Sequence, residues 1–136
     1  MNNGRFAIST HILTLLARNQ EEFLTSDFIA SSININPVLV RKEIINLRNK
    51  RLVISKEGKN GGSNLAKPAR QILLSEIYDA VREETVLGFS KNDPNPNCPV
   101  GKQINKHLGT IYSDAEDAMI QTLGQTTLAD FVKKFK

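Results

Sequence analysis

Two kinds of side chain in this sequence have chemistry to offer: one thiol and a block of cations. Cys98 is the sole cysteine and is followed at once by Pro99, a residue favoured at the first position of a helix. That order places the sulfur at or near a helix N-cap, where the macrodipole favours a thiolate. A thiolate there is a redox candidate, open to oxidation, a mixed disulfide or a disulfide between chains. The alternative is a small residue that fastens a loop. An intrachain disulfide is excluded. His107 stands nine residues further along, more than two helical turns away, so no local Cys–His metal site is expected. His11 is isolated and reads as structural. Enzyme chemistry finds no constellation either: Gly58, Gly61 and Gly62 sit between two strands rather than ahead of a phosphate-binding helix, and Cys98 with His107 lacks a third group. No catalytic residue, metal or cofactor is expected.

The cations are unevenly spread. The chain has 18 Lys and Arg against 14 Asp and Glu, a net charge of +4. Between Arg41 and Arg70 there are 9 basic residues against Glu43 and Glu57, which makes +7. Residues 71–136 hold 7 basic and 9 acidic groups and are net acidic. A basic block followed by an acidic half suggests an anion-binding module joined to something else. By charge alone, a solvated basic face without a partner is the better reading.

The elements that carry the block decide between these readings. Phe6, Ala7, Ile12, Leu13, Leu16 and Ala17 recur at helical spacing and predict a helix from about Arg5 to Asn19. Thr25 or Ser26 caps a short helix through Phe28, Ile29 and Ala30, and Asn34 supplies a left-handed turn residue. Asn36 and Pro37 then open a further helix that runs to about Lys50. Its buried stripe is Val40, Ile44 and Leu47; Val38, Lys42, Asn46 and Asn49 are expected on the far side, with Arg41 and Arg48 flanking. A strand from Leu52 to Lys56, a glycine-rich hairpin and a return strand from Ser63 to Ala66 complete a β-wing. Ile72 to Leu74 reads as a third short strand, and Ser75 as the cap of a helix through Ile77, Tyr78 and Val81. An irregular stretch, Ser90 to Pro99, precedes a long helix reaching Leu123. Its Ile104, Leu108, Ile111, Ala115, Ala118 and Thr122 are spaced 4, 3, 4, 3 and 4, the seam of a coiled coil. Gly124 ends it, and Thr127 caps a last short helix through Leu128, Phe131 and Val132.

The fold class expected is therefore mainly α with a small β-wing: a winged helix-turn-helix domain followed by a long dimerisation helix. In that fold the second helix of the pair enters the major groove and the wing offers cations to phosphate or the minor groove. The +7 block falls on those two elements, which favours double-stranded DNA as the partner.

Arg5-Phe6-Ala7, the Asn36-Pro37 helix start, Leu47-Arg48, Leu52-Val53 and Gly61-Gly62-Ser63-Asn64-Leu65-Ala66-Lys67-Pro68 resemble the bacterial Rrf-two family over nearly the whole chain. That family includes an iron–sulfur-cluster regulator, a nitric-oxide-sensing repressor and a cysteine-metabolism repressor. The resemblance implies a cytoplasmic, homodimeric transcription regulator, a repressor, that binds a pseudopalindromic operator. Ser63 stands where the family usually has an aromatic residue, and Glu57 where a basic one often precedes the wing glycine. Arg41 matches a base-contacting position; it either donates two bonds to a guanine or clamps a phosphate. Asn36, Val38 and Lys42 are further DNA candidates on the helix, although capping alone would explain Asn36. Lys56, Lys59, Asn60 and Asn64 are the candidates on the wing. Cluster-binding relatives carry three cysteines in the loop before the long helix, whereas here only Cys98 remains, so no cluster is expected.

At 136 residues the chain fits one domain of ordinary size. The expected division is 1–84 for the DNA-binding domain, 85–98 for a linker and sensor loop, and 99–136 for the dimerisation and cap helices. No apolar run approaches the roughly 20 residues of a membrane span. A protein-interaction module that regulates a partner enzyme is the competing reading; salt-dependent retention on DNA separates the two.

Overall fold

The computed structural model describes residues 4–83 and 87–135. The first three helices are α1 (Gly4–Arg18), α2 (Ser26–Ile33) and α3 (Pro37–Asn49). Ile12, Leu13 and Leu16 of α1 are wholly buried and meet Ile29 of α2 and Val40, Ile44 and Leu47 of α3 in one core. Local chemistry fixes the helix pair. The Thr25 hydroxyl accepts the Phe28 N–H at 3.1 Å, and the Asn36 carbonyl oxygen accepts the Val38 N–H at 2.9 Å. Between them Asn34 adopts φ 64°, ψ 49°, and its N–H bonds Ala30 O, which closes α2 tightly enough to turn straight into α3.

The wing is an antiparallel pair, β1 (Val53–Lys56) and β2 (Gly62–Leu65), with Val53 opposite Leu65 and Lys56 opposite Gly62. Leu24 adds a single bridge: its N–H reaches Ser63 O at 3.0 Å and its carbonyl accepts the Ser63 N–H at 2.8 Å. That approach explains Gly62, and the tight hairpin explains Gly61. A Cβ on Gly62, whose φ is +144°, would lie 2.3 Å from Leu24 O, and one on Gly61 would lie 2.3 Å from Lys56 O.

Two local expectations are corrected. Ile72 to Leu74 does not form a strand. A 3₁₀ turn (Ala69–Gln71) precedes it, and Leu73 makes one isolated bridge to Thr127, because its neighbour is a turn and not an extended segment. Nor does Ser75 cap the next helix, α4 (Leu74–Val81): Leu73 is the N-cap, and its N–H is satisfied by the Glu76 carboxylate at 3.2 Å.

Pro99 opens α5 (Pro99–Leu123), a helix of 25 residues or about 37 Å, with Cys98 as its N-cap. The last helix, α6 (Leu128–Val132), is capped by Thr127, folds back on α1 and the 3₁₀ turn, and buries Leu128 completely. The chain therefore comes back to the winged-helix unit along α5, whose C-terminal end joins it, and docks there with α6. Residues 84–86, where the expected domain boundary falls, lie outside the described residues.

Candidate nucleic-acid interface

The outward face of α3 carries Val38, Arg41, Lys42, Ile45 and Asn49, all exposed. Asn46 was expected among them, but its side-chain amide turns inward and donates to Ala80 O on α4 at 2.9 Å. Helix geometry gives the reason. At 100° per residue position 45 lies only about 20° from position 38, whereas position 46 lies about 80° round the helix. Ile45 is 49% exposed and Val38 59%. The exposed apolar pair amid cations was the signal in the sequence: such groups suit contact with a thymine methyl.

Arg41 and Arg48 of α3 line a shallow hollow of about 270 Å³ together with Ser26 of α2, Ser55 of β1 and Gly62 and Ser63 of β2. Ile44 and Ile45 of α3 also line it, and among the described residues no acidic side chain does, so two arginines border one hollow with an apolar floor. Ser26 and Ser55 were not among the sequence candidates; only the fold brings α2 and the wing beside α3. On the wing, Lys59 and Asn60 are exposed at the hairpin tip, and Asn60 takes φ +65°. Lys56 extends its ammonium over the Phe23 ring, 5.8 Å from the centroid, which restrains the cation while leaving it accessible. Asn64 is committed within the chain: its amide donates to Gln20 O at 2.8 Å and its oxygen accepts the Leu65 N–H at 2.7 Å. Asn36 is likewise engaged as the cap of α3. Val38, Arg41 and Lys42 thus share one face, while Lys56, Lys59 and Asn60 belong to the wing beside it.

The back of α3 is bolted down by ions. Glu43 is buried and accepts two bonds from Arg5 of α1, at 2.8 and 3.1 Å, and the remaining arm of Arg5 reaches Glu83 at 2.8 Å. The Glu43 bond is the main reason the Arg5 guanidinium holds its proton even more firmly than usual. Tyr78 of α4 is buried and donates its hydroxyl to Glu116 of α5 at 3.0 Å, and Arg82 donates to the other Glu116 oxygen at 2.8 Å. Burial first, and then this carboxylate, push the Tyr78 phenol above its ordinary pKa.

Among the described residues α5 contributes none that is buried. Of the expected seam, Ile104 and Leu108 are half-buried, while Ile111 (61% exposed), Ala115 and Ala118 face outward. Cys98 is exposed. The N–H groups of Gly101 and then Val100 face its sulfur and draw the thiol pKa below the ordinary value.

Residues 2–134 match the model of a family described as "Rrf2: Iron-dependent Transcriptional regulator". This chain belongs to the Rrf2 family. It is similar to the "Putative HTH-type transcriptional regulator YwnA" of Bacillus subtilis, at 38% identity over 130 residues and 96% of each chain. A solved structure described as "Crystal structure of a putative DNA binding protein" superposes with a TM-score of 0.74 at 33% identity, over 93% of this chain and 97% of that one. CymR, the global cysteine regulator of B. subtilis, shares the fold with a TM-score of 0.74 at 21% identity, over 100% and 98% of the two chains. As an Rrf2 member the chain is a transcriptional regulator and not an enzyme, built on the winged-helix fold. Among the described residues no group of three or more His, Cys, Asp or Glu side chains is placed to hold the iron of the family's description; one exposed thiol per chain does not supply a cluster's ligands, and the His107 imidazole, exposed further along α5, lies against Gln103. Among the described residues no helix is long and apolar enough to cross a membrane.

Proposed function

We propose that this Rrf2 regulator works as a homodimer that represses transcription by binding a pseudopalindromic operator. Residues 1–84 would form the DNA-binding domain, 85–98 a sensor loop and 99–136 the dimerisation and cap helices, at work in the cytoplasm. In this reading α3 enters the major groove with Arg41, Lys42, Val38 and Ile45 toward the base edges. Arg48, Lys56 and Lys59 neutralise phosphates, with Ser26 and Asn60 beside them. The observation that carries the reading is the union of α2, α3 and the wing around the Arg41–Arg48 hollow, which no acidic group lines. The apolar seam Ile104, Leu108, Ile111, Ala115 and Ala118, exposed at its last three positions, supports pairing with its copy, which sets two recognition helices on one face of the duplex. Cys98 is the redox-responsive group: an oxidant or electrophile that modifies it acts where the loop meets the dimer helix.

The test compares Arg41→Ala with Lys59→Ala on sites selected from random duplex DNA. Arg41→Ala should relax preference at one base pair per half-site. Lys59→Ala should weaken all sequences alike and lower the salt slope by about one unit. If both substitutions merely scale affinity, Arg41 is a phosphate contact and the base-reading assignment is wrong.

A further inference from the structure

α5 is attached to the winged-helix unit at two places. At its C-terminal end the backbone is tied in: Leu74 N–H bonds Thr126 O at 3.0 Å, and Leu128 N–H bonds Ile72 O at 2.7 Å. About 10 Å nearer the helix start, Glu116 receives Tyr78 and Arg82. From Glu116 to Pro99 the helix then runs on for about 26 Å. Two fixed points define a line, so the Glu116 contact sets the angle at which α5 leaves the unit. Leu87, Tyr112, Ala115, Glu116 and Met119 border an apolar hollow of about 240 Å³ beside the contact rather than a filled interface.

The contact is well made for a fixed angle. Tyr78 is itself held in the core, edge-on to Phe6 with ring centroids 6.2 Å apart, so its hydroxyl has little freedom. Glu116 is only 19% exposed at its side chain and engages both oxygens. Arg82 is further steadied by Asp79 at 3.6 Å. The same helix α4 holds the recognition helix through the Asn46–Ala80 bond. Hence α5 and α3 are referenced to one rigid element.

We propose that Glu116, with Tyr78 and Arg82, is a specificity-determining clamp: it fixes the angle between α5 and the winged-helix unit and so sets the half-site spacing that the dimer accepts. The proposal rests on the dimer reading above. Two levers of about 26 Å, one per protomer, that each swing by about 4° change the separation of their ends by roughly 3.5 Å, close to the rise of one base pair. Loosening the clamp therefore admits operators one base pair longer or shorter. None of the three residues touches DNA in this arrangement, and none belongs to the expected seam.

The experiment selects binding sites from random duplex DNA with purified wild type, Glu116→Gln and Tyr78→Phe, then measures affinity for the selected inverted repeat with its spacer unchanged, one pair longer and one pair shorter. Tyr78→Phe removes a single oxygen and guards against a variant that fails to fold; thermal melts accompany each protein. Wild type should prefer one spacer. Both variants should recover the same half-site sequence but lose about tenfold of the spacer discrimination, the scale of one hydrogen bond to a charged group. Variants that keep the wild-type spacer preference, whether or not overall affinity falls, overturn the clamp. Wild-type selection that yields only a single half-site, with no repeat, refutes the dimer reading and the clamp with it.

Discussion

Arg5→Met should cost this fold about 3 kcal/mol, and the reason lies in one buried carboxylate. Glu43 sits on the inner side of α3 with 6% of its side chain exposed and takes both its bonds from Arg5, which is 32% exposed. Removing one partner of a buried pair costs about 3–5 kcal/mol, because the other charge stays desolvated and unpaired. The partial exposure of Arg5 places the effect at the low end. A chain of 136 residues has a total stability of about 7–20 kcal/mol, so the loss is large without being fatal. Replacing Glu43 by Leu in the same background removes the stranded charge and restores apolar packing; Arg5→Met with Glu43→Leu should lie within about 1 kcal/mol of wild type. The chain has no tryptophan, so urea unfolding is followed by helical circular dichroism at one fixed protein concentration. With a slope of about 1–3 kcal/mol per molar urea, the single variant should lower the midpoint by roughly 1–3 M at unchanged slope. A midpoint shift below about 0.3 M for Arg5→Met, or a double variant no more stable than the single one, would refute the reasoning.

Ile111→Asp puts a charge into the proposed seam and should give a monomer in sedimentation with much weakened DNA binding; a dimer of normal affinity moves the interface elsewhere. Arg51 holds φ 63° just after α3, a conformation that costs a side chain about 1 kcal/mol, so Arg51→Gly should raise the unfolding free energy by about that amount. The Cys98 thiol, lowered by the Gly101 and Val100 N–H groups, should react with iodoacetamide with a pH midpoint below that of the urea-unfolded chain. Folded protein then reacts through more thiolate between the two midpoints, and the thiolate fractions converge above the unfolded one; coincident midpoints would remove the N-cap argument.

What was legible in the sequence was what local chemistry decides. Thr25, Asn34, Asn36 and Pro37 specify the helix pair through caps and one left-handed residue, and those signals act within a few residues. The Gly61-Gly62 pair marks the wing, and the spacing from Ile104 onward marks a long helix with an apolar edge. Even the outward face of α3 was nearly right, since a helical period assigns faces without reference to the rest of the chain. The errors begin where a distant partner chooses. Asn46 turned inward because Ala80 offers a carbonyl there, and Ile72 to Leu74 failed as a strand because the segment beside it is a turn near Thr127. Glu43 enters the sequence only as one of two acids in a basic block; its burial against Arg5, 38 positions earlier, comes from the fold. The place of α6 in the core, the meeting of Ser26 and Ser55 with Arg41, and the grip of Tyr78 and Arg82 on Glu116 are tertiary facts of the same kind. Each depends on which elements the burial of apolar surface brings together, and that is a property of the whole chain that no window of sequence contains.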